Sequence, residues 1–228
     1  MNDPRVSHTA SILPNGKVLV ADCSSINISE LFDPSSGLWT ITGSTNIPRC
    51  CHTASALTNG EVLVASRYGE IVNRYTAELY NRSIGIWTKT GSMNVPREYH
   101  TASILNNGKV LVTDGFNADA VDFTAELFDS STRLWTLTGQ MNNARAFHTA
   151  IALTAGKVLV AGGEDNNGFT NSAELYDPET EVWTEIGNMN FARRQLTSSI
   201  LMSGQVLVTG GYNSNVNILS SAEINSSI

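Results

Sequence analysis

Apolar side chains in this chain occur in short runs, each closed by glycine, asparagine or aspartate. One stretch shows the full pattern: His100–Leu105 alternates, Lys109–Thr113 is a continuous apolar run, Thr124–Phe128 alternates again, and Leu134–Thr138 carries a tryptophan. Short runs rich in β-branched and aromatic residues, separated by turn residues, indicate β-strands. No window shows the sustained periodicity of an amphipathic helix. We therefore expect four short strands in this stretch.

The four-strand pattern recurs along the whole chain, with several residue types in register. The tryptophans are 48 residues apart, and most steps in the glycine, arginine and glutamate series have the same length. The first glycine and arginine steps are 44 residues, which places a four-residue deletion in the loop between the second and third strands of the first repeat. The series are Trp39, Trp87, Trp135 and Trp183; Gly16, Gly60, Gly108, Gly156 and Gly204; Arg5, Arg49, Arg97, Arg145 and Arg193; and Glu30, Glu78, Glu126, Glu174 and Glu223. Such a fixed period predicts a repeat architecture.

One four-stranded antiparallel sheet cannot bury both of its faces, so neighbouring repeats must stack face to face. Repeated units of this kind predict an all-β fold, a β-propeller whose blades are the repeats. We expect a single domain over residues 1–228, with repeats at about 1–44, 45–92, 93–140, 141–188 and, as a partial repeat, 189–228.

The repeat resembles the kelch motif, both in its strand ends and in its linker. A glycine pair ends the second strand, an aromatic residue precedes an Asp-Pro turn, a tryptophan follows, and the linker between repeats is also similar. The residues that carry the resemblance are Gly162-Gly163, Gly210-Gly211, Tyr176-Asp177-Pro178, Trp183 and Met93–Arg97. The first three repeats depart at the glycine pair, where they have Ala21-Asp22, Ala65-Ser66 and Asp114-Gly115. The resemblance implies a propeller of kelch-type blades.

The number of blades follows from where the repeats begin and end. Met1–Arg5 aligns with the linker Met93–Arg97, and Ala222–Ile224 aligns with the third strands. We expect five blades, the last without its outer strand; because kelch propellers usually have six or seven, the alternative is a fragment of a larger kelch protein. The third strand of the last blade, about Ser220–Ile224, would then be an open sheet edge. We expect a partner chain or a second copy of the chain to cover it.

Charge and hydropathy narrow the range of partners. The formal net charge is -7, which argues against nucleic acid and anionic membranes as general partners, since both require a basic face. No apolar run approaches the roughly 20 residues that span a bilayer, and the N-terminal residues lack the apolar region of a secretory signal. We expect a soluble protein without membrane insertion; its compartment is not determined by the sequence.

The repeated polar residues are expected to be structural. In the third strand Glu78 alternates with apolar neighbours, so its carboxylate needs a partner if it is buried. Each repeat also supplies one arginine, whose planar guanidinium suits a carboxylate. We predict one Arg–Glu bridge per blade, with Arg49, Arg97, Arg145 and Arg193 facing Glu78, Glu126, Glu174 and Glu223. All four histidines, His8, His52, His100 and His148, share one repeat position that is Leu196 in the fifth repeat, which favours packing over metal binding.

Function is expected where the repeats differ, because binding residues concentrate in loops on a rigid scaffold. The resemblance to kelch proteins implies that the linkers between repeats and the loops between second and third strands share one face. Their individual residues include aromatic, amide and charged side chains: Arg67, Tyr68, Glu98, Tyr99, Phe116, Asn117, Phe147, Glu164, Asp165, Arg194, Tyr212 and Asn213. Such a mixture suits recognition of a protein, peptide or glycan, so we expect a non-catalytic binding scaffold; alternatively, these are merely solvated loops.

An enzyme is the other class of function to weigh. Kelch-type propellers also occur in galactose-oxidase-like copper enzymes, but here every histidine occupies a repeated position. No Ser-His-Asp motif, phosphate loop or zinc-binding H-E-x-x-H motif is present, so we expect no catalytic residue, metal or cofactor. The cysteines are Cys23, Cys50 and Cys51, and they lack C-x-x-C spacing. A disulfide between Cys23 and either Cys50 or Cys51 is plausible, but a reducing compartment would leave all three as thiols.

Overall fold

The structure, a computed structural model, describes residues 1–21, 27–66, 74–117, 120–213 and 217–225. None of these residues lies in a helix, and none of them forms a segment with the length and hydropathy needed to traverse a membrane as a helix. The fold is all-β, as the sequence predicts. Arg67 and Tyr68, two of the expected binding residues, and Cys23 lie outside the described residues.

Each repeat forms one antiparallel sheet whose strands follow the chain from one edge to the other. The first sheet is β1 (Thr9–Ile12), β2 (Val18–Ala21), β3 (Ile28–Asp33) and β4 (Leu38–Ser44). The second is β5 (Thr53–Ala56), β6 (Val62–Ala65), β7 (Ala77–Asn81) and β8 (Ile86–Lys89). The third is β9 (Thr101–Ile104), β10 (Val110–Thr113), β13 (Ala125–Asp129) and β14 (Leu134–Leu137).

The fourth sheet is β15 (Thr149–Ala152), β16 (Val158–Ala161), β19 (Ala173–Asp177) and β20 (Val182–Ile186). The fifth has three strands among the described residues: β21 (Thr197–Ile200), β22 (Val206–Thr209) and β23 (Ala222–Asn225). These strands agree with the sequence prediction to within one or two residues at each end. Two short hairpins, which the sequence did not predict, stand between second and third strands: β11 (Phe116–Asn117) with β12 (Ala120–Val121), and β17 (Glu164–Asp165) with β18 (Gly168–Phe169).

The Cα positions divide the chain into two compact units, Met1–Glu98 with Asp129–Trp135 and Tyr99–Phe128 with Thr136–Ile228. In the first unit, side chains of the first and second sheets share one core, which contains Leu19, Val64, Tyr80 and Trp87. In the second unit, one core joins the third and fourth sheets and another joins the fourth and fifth. Neighbouring sheets therefore pack face to face within each unit, which explains why the second strands read as continuous apolar runs.

The glycine pair at the end of the second strand has a steric origin. Gly162 and Gly163 have φ angles of 66° and 100°, in the left-handed region that favours glycine. A Cβ on Gly163 would lie 2.5 Å from the backbone oxygen of Ala146. Asp114 and Ser66 lie one and two periods of 48 residues before Gly162 and take the first position of the pair at φ angles of 52° and 70°, so the pair of the second repeat begins at Ser66 and not at Ala65. A Cβ on Gly162 would also lie close to the backbone, 2.6 Å from the carbonyl oxygen of Arg193, so in the fourth repeat both glycines of the pair lie against a linker.

Candidate binding site

The repeated arginine is the residue that ties each linker to its sheet. Arg145 is fully buried, and its Nη1 donates to the backbone oxygens of Gly162 (3.1 Å) and Ser172 (2.9 Å). Its Nη2 donates to Oε1 of Glu174 at 2.9 Å. One guanidinium therefore binds the end of the second strand, the approach to the third strand and the carboxylate on the third strand.

The repeated glutamate is held from the linker side as well. Glu174 accepts hydrogen bonds from the backbone N–H of Asn142 (2.8 Å) and of Asn143 (2.9 Å). The ion pair recurs in other repeats as Arg5–Glu30 (3.0 Å), Arg49–Glu78 (2.9 Å) and Arg193–Glu223 (2.6 Å). Arg97 and Glu126 are also fully buried. A feature copied from repeat to repeat in this way belongs to the scaffold.

Desolvation and hydrogen bonding act in opposite directions on these carboxylates. Burial alone would raise the pKa of Glu223, but hydrogen bonds from the backbone and side chain of Asn190, together with the charge of Arg193, outweigh it and hold that pKa below its ordinary value. The pKa of Glu30 is lowered by the same balance, with Asn2 and Arg5 as the partners. Both carboxylates thus favour the ionised form at neutral pH.

Three of the four repeated histidines, His52, His100 and His148, are buried, whereas His8 is exposed. His52 shares a hydrogen bond of 2.7 Å through Nε2 with the hydroxyl of Thr9. Burial, and then the charge of Arg49, lower the pKa of His52 to about 4. His148 shares a bond of 2.7 Å with Thr101, and burial holds its pKa well below the usual value. These imidazoles are neutral at pH 7.

A backbone ladder in the second unit aligns the linker residues that the sequence marks as variable. The backbone N–H of Phe147 donates to the carbonyl of Tyr99 at 3.1 Å, and that of Gln195 donates to the carbonyl of Phe147 at 2.9 Å. All three have positive φ angles, 54°, 55° and 54°, which L-residues adopt at a cost of about 1–2 kcal/mol. The ladder holds the Tyr99 and Phe147 rings side by side.

Four individual aromatic residues and one arginine meet at this ladder, and we call them the aromatic–arginine cluster: Tyr99, Phe116, Phe147, Phe169 and Arg194. The ring centroids of Tyr99 and Phe147 are 4.1 Å apart, and Phe116 meets both edge-on at 6.3 and 5.8 Å. The Arg194 guanidinium lies 5.2 Å from the Phe147 centroid and 4.9 Å from that of Phe169. All five side chains are half-buried.

The guanidinium of Arg194 is also fixed by a carboxylate. Its Nη1 donates to Oε2 of Glu164 at 2.6 Å, and the two side chains remain 34% and 15% exposed. Cation–π contacts and a charge-assisted hydrogen bond together leave the guanidinium little freedom. The cluster is therefore rigid but reachable from solvent.

The fold positions the cluster by pairing each linker with a neighbouring loop. Ala146 and Glu164 form an isolated antiparallel bridge, and so do Arg194 and Tyr212. The second hairpin places Phe169 opposite Glu164. In this unit the two kinds of connection therefore lie side by side, as the kelch resemblance implies.

Other expected binding residues take different roles. Glu98 is 5% exposed and pairs with Arg74 at 2.8 Å, so this carboxylate is a buried structural group rather than a loop-face contact. Asp165 caps a turn through the N–H of Asn167 (2.7 Å). The side chain of Asn117 donates to Asp122 at 3.4 Å, and the Asn213 oxygen accepts the N–H of Asn217 at 3.1 Å. These three side chains shape their own loops.

Two residues were not predicted from the sequence: Phe169, which belongs to the aromatic–arginine cluster, and Arg74, which pairs with Glu98. Phe169 lies in the individual loop of the fourth repeat, but only the hairpin pairing shows that its ring faces Arg194. Arg74 aligns with Asp122 and Thr170 of the next two repeats, so the residue type at this position is not repeated and the register gave no signal for its bond to Glu98.

The cysteines and the possible metal ligands can be assessed only within the described chain. Cys50 is disulfide-bonded, and Cys51 is a free, half-buried thiol. Within the described ranges, His, Cys, Asp and Glu side chains do not gather in groups of three or more with metal-binding geometry.

Comparison with known proteins places this architecture in a known class. Residues 145–190 match the family model of the kelch motif. No curated protein sequence matches the chain. The solved structure titled "Structure of YjhT" matches with a TM-score of 0.76 at 13% identity, over 97% of this chain and 81% of that one. At this identity the likeness shows the fold, which in YjhT is a kelch-type β-propeller. Residues 145–190 of this chain therefore carry a kelch motif, and the chain has the fold of a kelch-type β-propeller.

Proposed function

We propose that this protein is a non-catalytic recognition scaffold that binds a protein, peptide or glycan through the aromatic–arginine cluster. The observation that carries the proposal is the meeting of five side chains that repeat register does not dictate, Tyr99, Phe116, Phe147, Phe169 and Arg194, on one set of loops. Around them, the Arg–Glu network supplies a scaffold that is the same from repeat to repeat. Individual residues on a repeated scaffold are where specificity would be expected.

The chemistry of the cluster suits a ligand with both apolar and polar surface. Tyrosine and arginine are enriched among the residues that dominate binding energy at interfaces. Aromatic rings supply a large contact area at low entropic cost. Because Glu164 and two rings already hold Arg194, little further ordering is needed when a ligand docks, and this preorganisation favours affinity.

The proposal can be tested by affinity capture with the purified protein and a variant carrying Tyr99→Ala, Phe147→Ala and Tyr212→Ala. Ligands captured by the wild-type protein should bind the triple variant at least about tenfold more weakly, equivalent to about 1.4 kcal/mol. Phe191→Ala is the matched control, because Phe191 is 52% exposed and lies outside the cluster. Retained binding in the triple variant, confirmed as folded by circular dichroism, would contradict the proposal.

The non-catalytic part of the proposal has its own test. The alternative is a galactose-oxidase-like copper enzyme, so metal content should be measured on protein purified without chelators. We expect less than stoichiometric copper. One copper per chain, together with oxidase activity on an alcohol group of a sugar, would overturn the proposal that the protein is non-catalytic.

A further inference from the structure

The turn between the third and fourth strands of the second sheet carries an acceptor sequence for an N-linked glycan. Asn81 is the last residue of β7, and it begins the tripeptide Asn81-Arg82-Ser83. An asparagine followed two residues later by serine, with no proline between them, is the tripeptide on which N-linked glycans are built. Asn81 is half-buried, and Arg82 and Ser83 are exposed. The turn thus has the sequence and the accessibility that this modification requires.

The position of Asn81 is an aspartate in the first, third and fourth repeats. Asp33 accepts the backbone N–H of Ser35 at 2.9 Å and also pairs with Lys17, just before the second strand, at 3.1 Å. In the fourth repeat Asp177 pairs in the same way with Lys157 at 3.0 Å. The aspartate therefore caps its own turn and joins that turn to the second strand.

The second repeat keeps the cap and loses the ionic link. Oδ1 of Asn81 accepts the backbone N–H of Ser83 at 2.9 Å. The lysine position is occupied by Glu61, whose Oε1 lies 3.6 Å from Nη2 of Arg133. Within the described ranges Nδ2 of Asn81 donates no hydrogen bond. The turn thus engages the oxygen of this carboxamide and leaves its nitrogen, the atom that carries an N-linked glycan, uncommitted.

There is also space for a first sugar beside this side chain. A cleft of about 320 Å³ is lined by Asn59, Gly60, Glu61, Asn81, Arg82 and Ser83. The Arg82 side chain covers one end, since a Cβ on Gly60 would lie 2.9 Å from its Nε. Nδ2 of Asn59 donates to Oε2 of Glu61 at 2.8 Å. The amide, carboxylate and guanidinium groups of these walls include both donors and acceptors for sugar hydroxyl groups.

A second tripeptide of the same type, Asn27-Ile28-Ser29, has the opposite surroundings and provides an internal comparison. Ser29 is fully buried, and its hydroxyl accepts a hydrogen bond from Nε1 of Trp87 at 3.1 Å. The side-chain nitrogen of Asn27 donates to the carbonyl of Thr45. A glycan on Asn27 would remove this hydrogen bond and would have to leave a packed region of the first unit. The folded chain therefore accommodates a glycan at Asn81 and not at Asn27.

The cysteine chemistry agrees with the compartment in which proteins receive N-linked glycans. Cys50, in the same unit as Asn81, is disulfide-bonded. Disulfides form and persist in the lumen of the endoplasmic reticulum and outside the cell, whereas cytosolic thiols are kept reduced. A disulfide and an accessible acceptor tripeptide both fit a chain that passes through an oxidising compartment.

We propose that Asn81 is an N-glycosylation site and that Asn27 is not modified in the folded protein. The co-substrate is a lipid-linked oligosaccharide diphosphate. A bond forms between Nδ2 of Asn81 and the anomeric carbon of the first sugar, and the bond from that carbon to the lipid diphosphate breaks. The diphosphate leaves with the bonding electron pair, and the amide nitrogen gives up one proton to a base of the transferring enzyme. This site is independent of the ligand proposed for the aromatic–arginine cluster.

The test is glycan mapping on the full chain, secreted from cultured animal cells behind a cleavable signal. Release of the glycans by peptide-N-glycosidase in heavy-oxygen water converts each modified asparagine to a labelled aspartate, which mass spectrometry locates. We expect label at Asn81 and none at Asn27, both in the secreted chain and in protein isolated from the cells that naturally make it. An unlabelled Asn81 in either sample, or label at Asn27 in folded protein, would overturn the proposal. This holds whatever the state of Asn225, whose acceptor tripeptide extends beyond the described residues.

Two variants separate glycosylation from other changes at this asparagine. Ser83→Ala keeps Asn81 but removes the hydroxyl group of the acceptor tripeptide, so the label should be lost, whereas Ser83→Thr should retain it. Ser131→Ala is the matched control, because Ser131 donates its N–H to Asp129 in the equivalent turn of the third repeat. It should leave the label at Asn81 unchanged. Label that persists in Ser83→Ala would show a reaction other than N-glycosylation and would contradict the proposal.

Discussion

In the second, fourth and fifth repeats the guanidinium of the repeated arginine donates to three acceptor groups. For Arg145 these are two backbone oxygens and the Glu174 carboxylate. Removing one partner of a buried ion pair is costly because the remaining charge stays in a medium of low dielectric constant. The pair therefore matters for stability chiefly through the free energy lost when one of its two partners is removed.

We expect Arg145→Ala to lower the free energy of unfolding by about 3–5 kcal/mol, because Glu174 and two carbonyls lose their donor. Urea denaturation monitored by tryptophan fluorescence measures the change. Lys157→Ala is the matched control: the Lys157–Asp177 pair has a similar distance, 3.0 Å, but its side chains are 42% and 29% exposed. Solvent screens an exposed pair of this kind, so its contribution to stability is much smaller than that of a buried pair. Equal effects of the two substitutions would refute the structural role of the repeated arginine.

The neutral histidines predict a loss of stability in mildly acidic solution. The unfolded chain binds a proton at His52 below pH 6.5, whereas burial holds the folded pKa at about 4. The unfolded state therefore gains protons as pH falls from 6.5 to 4, and stability falls with it, by up to about 3 kcal/mol at 1.36 kcal/mol per pKa unit. Above pH 6.5 this histidine has no pH effect on stability.

Substituting His52 by leucine, the residue at this position in the fifth repeat, should reduce the slope of the stability profile between pH 6.5 and 4, and the buried His148, whose pKa is also lowered, should account for part of the slope that remains. Chemical denaturation at intervals across this range measures the slope. His8→Leu is the control, since His8 occupies the same repeat position but is exposed. If both variants kept the wild-type slope, burial of a neutral His52 would not be the cause of the acid sensitivity.

Residue roles could be predicted from the sequence only where repetition exposed them. The Arg and Glu series in the sequence predict the pairing, because a polar residue at a fixed place in an apolar strand needs a fixed partner. Glu98 was assigned to the loop face because it is individual to its repeat, yet it is buried beside Arg74. A residue that occurs in one repeat only can thus be structural when its partner also occurs in that repeat only.

At the scale of strands and turns, backbone sterics account for the glycine pair. The left-handed φ of Gly163 and the nearby carbonyl of Ala146 exclude a side chain at its Cα. Gly204 also has a positive φ, 83°, but a Cβ there would meet nothing within 4 Å. A side chain at Gly204 would therefore cost only the left-handed backbone conformation, whereas a side chain at Gly163 would cost that conformation and a steric clash as well.

Gly204→Ala should therefore cost about 1 kcal/mol, the penalty of a left-handed alanine alone. Gly163→Ala should cost at least about 2 kcal/mol more, because the linker backbone must also move away. Thermal or urea unfolding of the two variants gives the comparison. Equal destabilisation would show that contact with the linker does not fix the second glycine.

The strands were predictable from hydrophobic pattern and turn residues, whereas the two hairpins were not. β17 is Glu164-Asp165, which lacks the β-branched and aromatic residues that mark strands. Its extended backbone follows from the bridge between Glu164 and Ala146, a contact between segments distant in the sequence. Local propensity cannot report such pairing, and this is also why Phe169 escaped prediction as part of the cluster.

At the scale of the whole molecule, the repeat register predicts one domain over residues 1–228. The repeats are joined by short linkers that their own arginines anchor, so we expect them to unfold together. Differential scanning calorimetry should show one transition with equal calorimetric and van't Hoff enthalpies. Two resolved transitions would contradict the single-domain prediction and indicate that cooperativity breaks down along the array.

Repetition separates the scaffold residues from the residues that we propose to bind the ligand. The most direct test of this separation is binding of the labelled protein to arrays of immobilised peptides and glycans, compared with a Tyr99→Ala, Phe147→Ala variant at equal folded fraction. We expect the wild-type protein and Phe191→Ala to give the same set of ligands and the double variant to lose at least about tenfold in affinity for them. A double variant that binds the same ligands with unchanged affinity would contradict this separation.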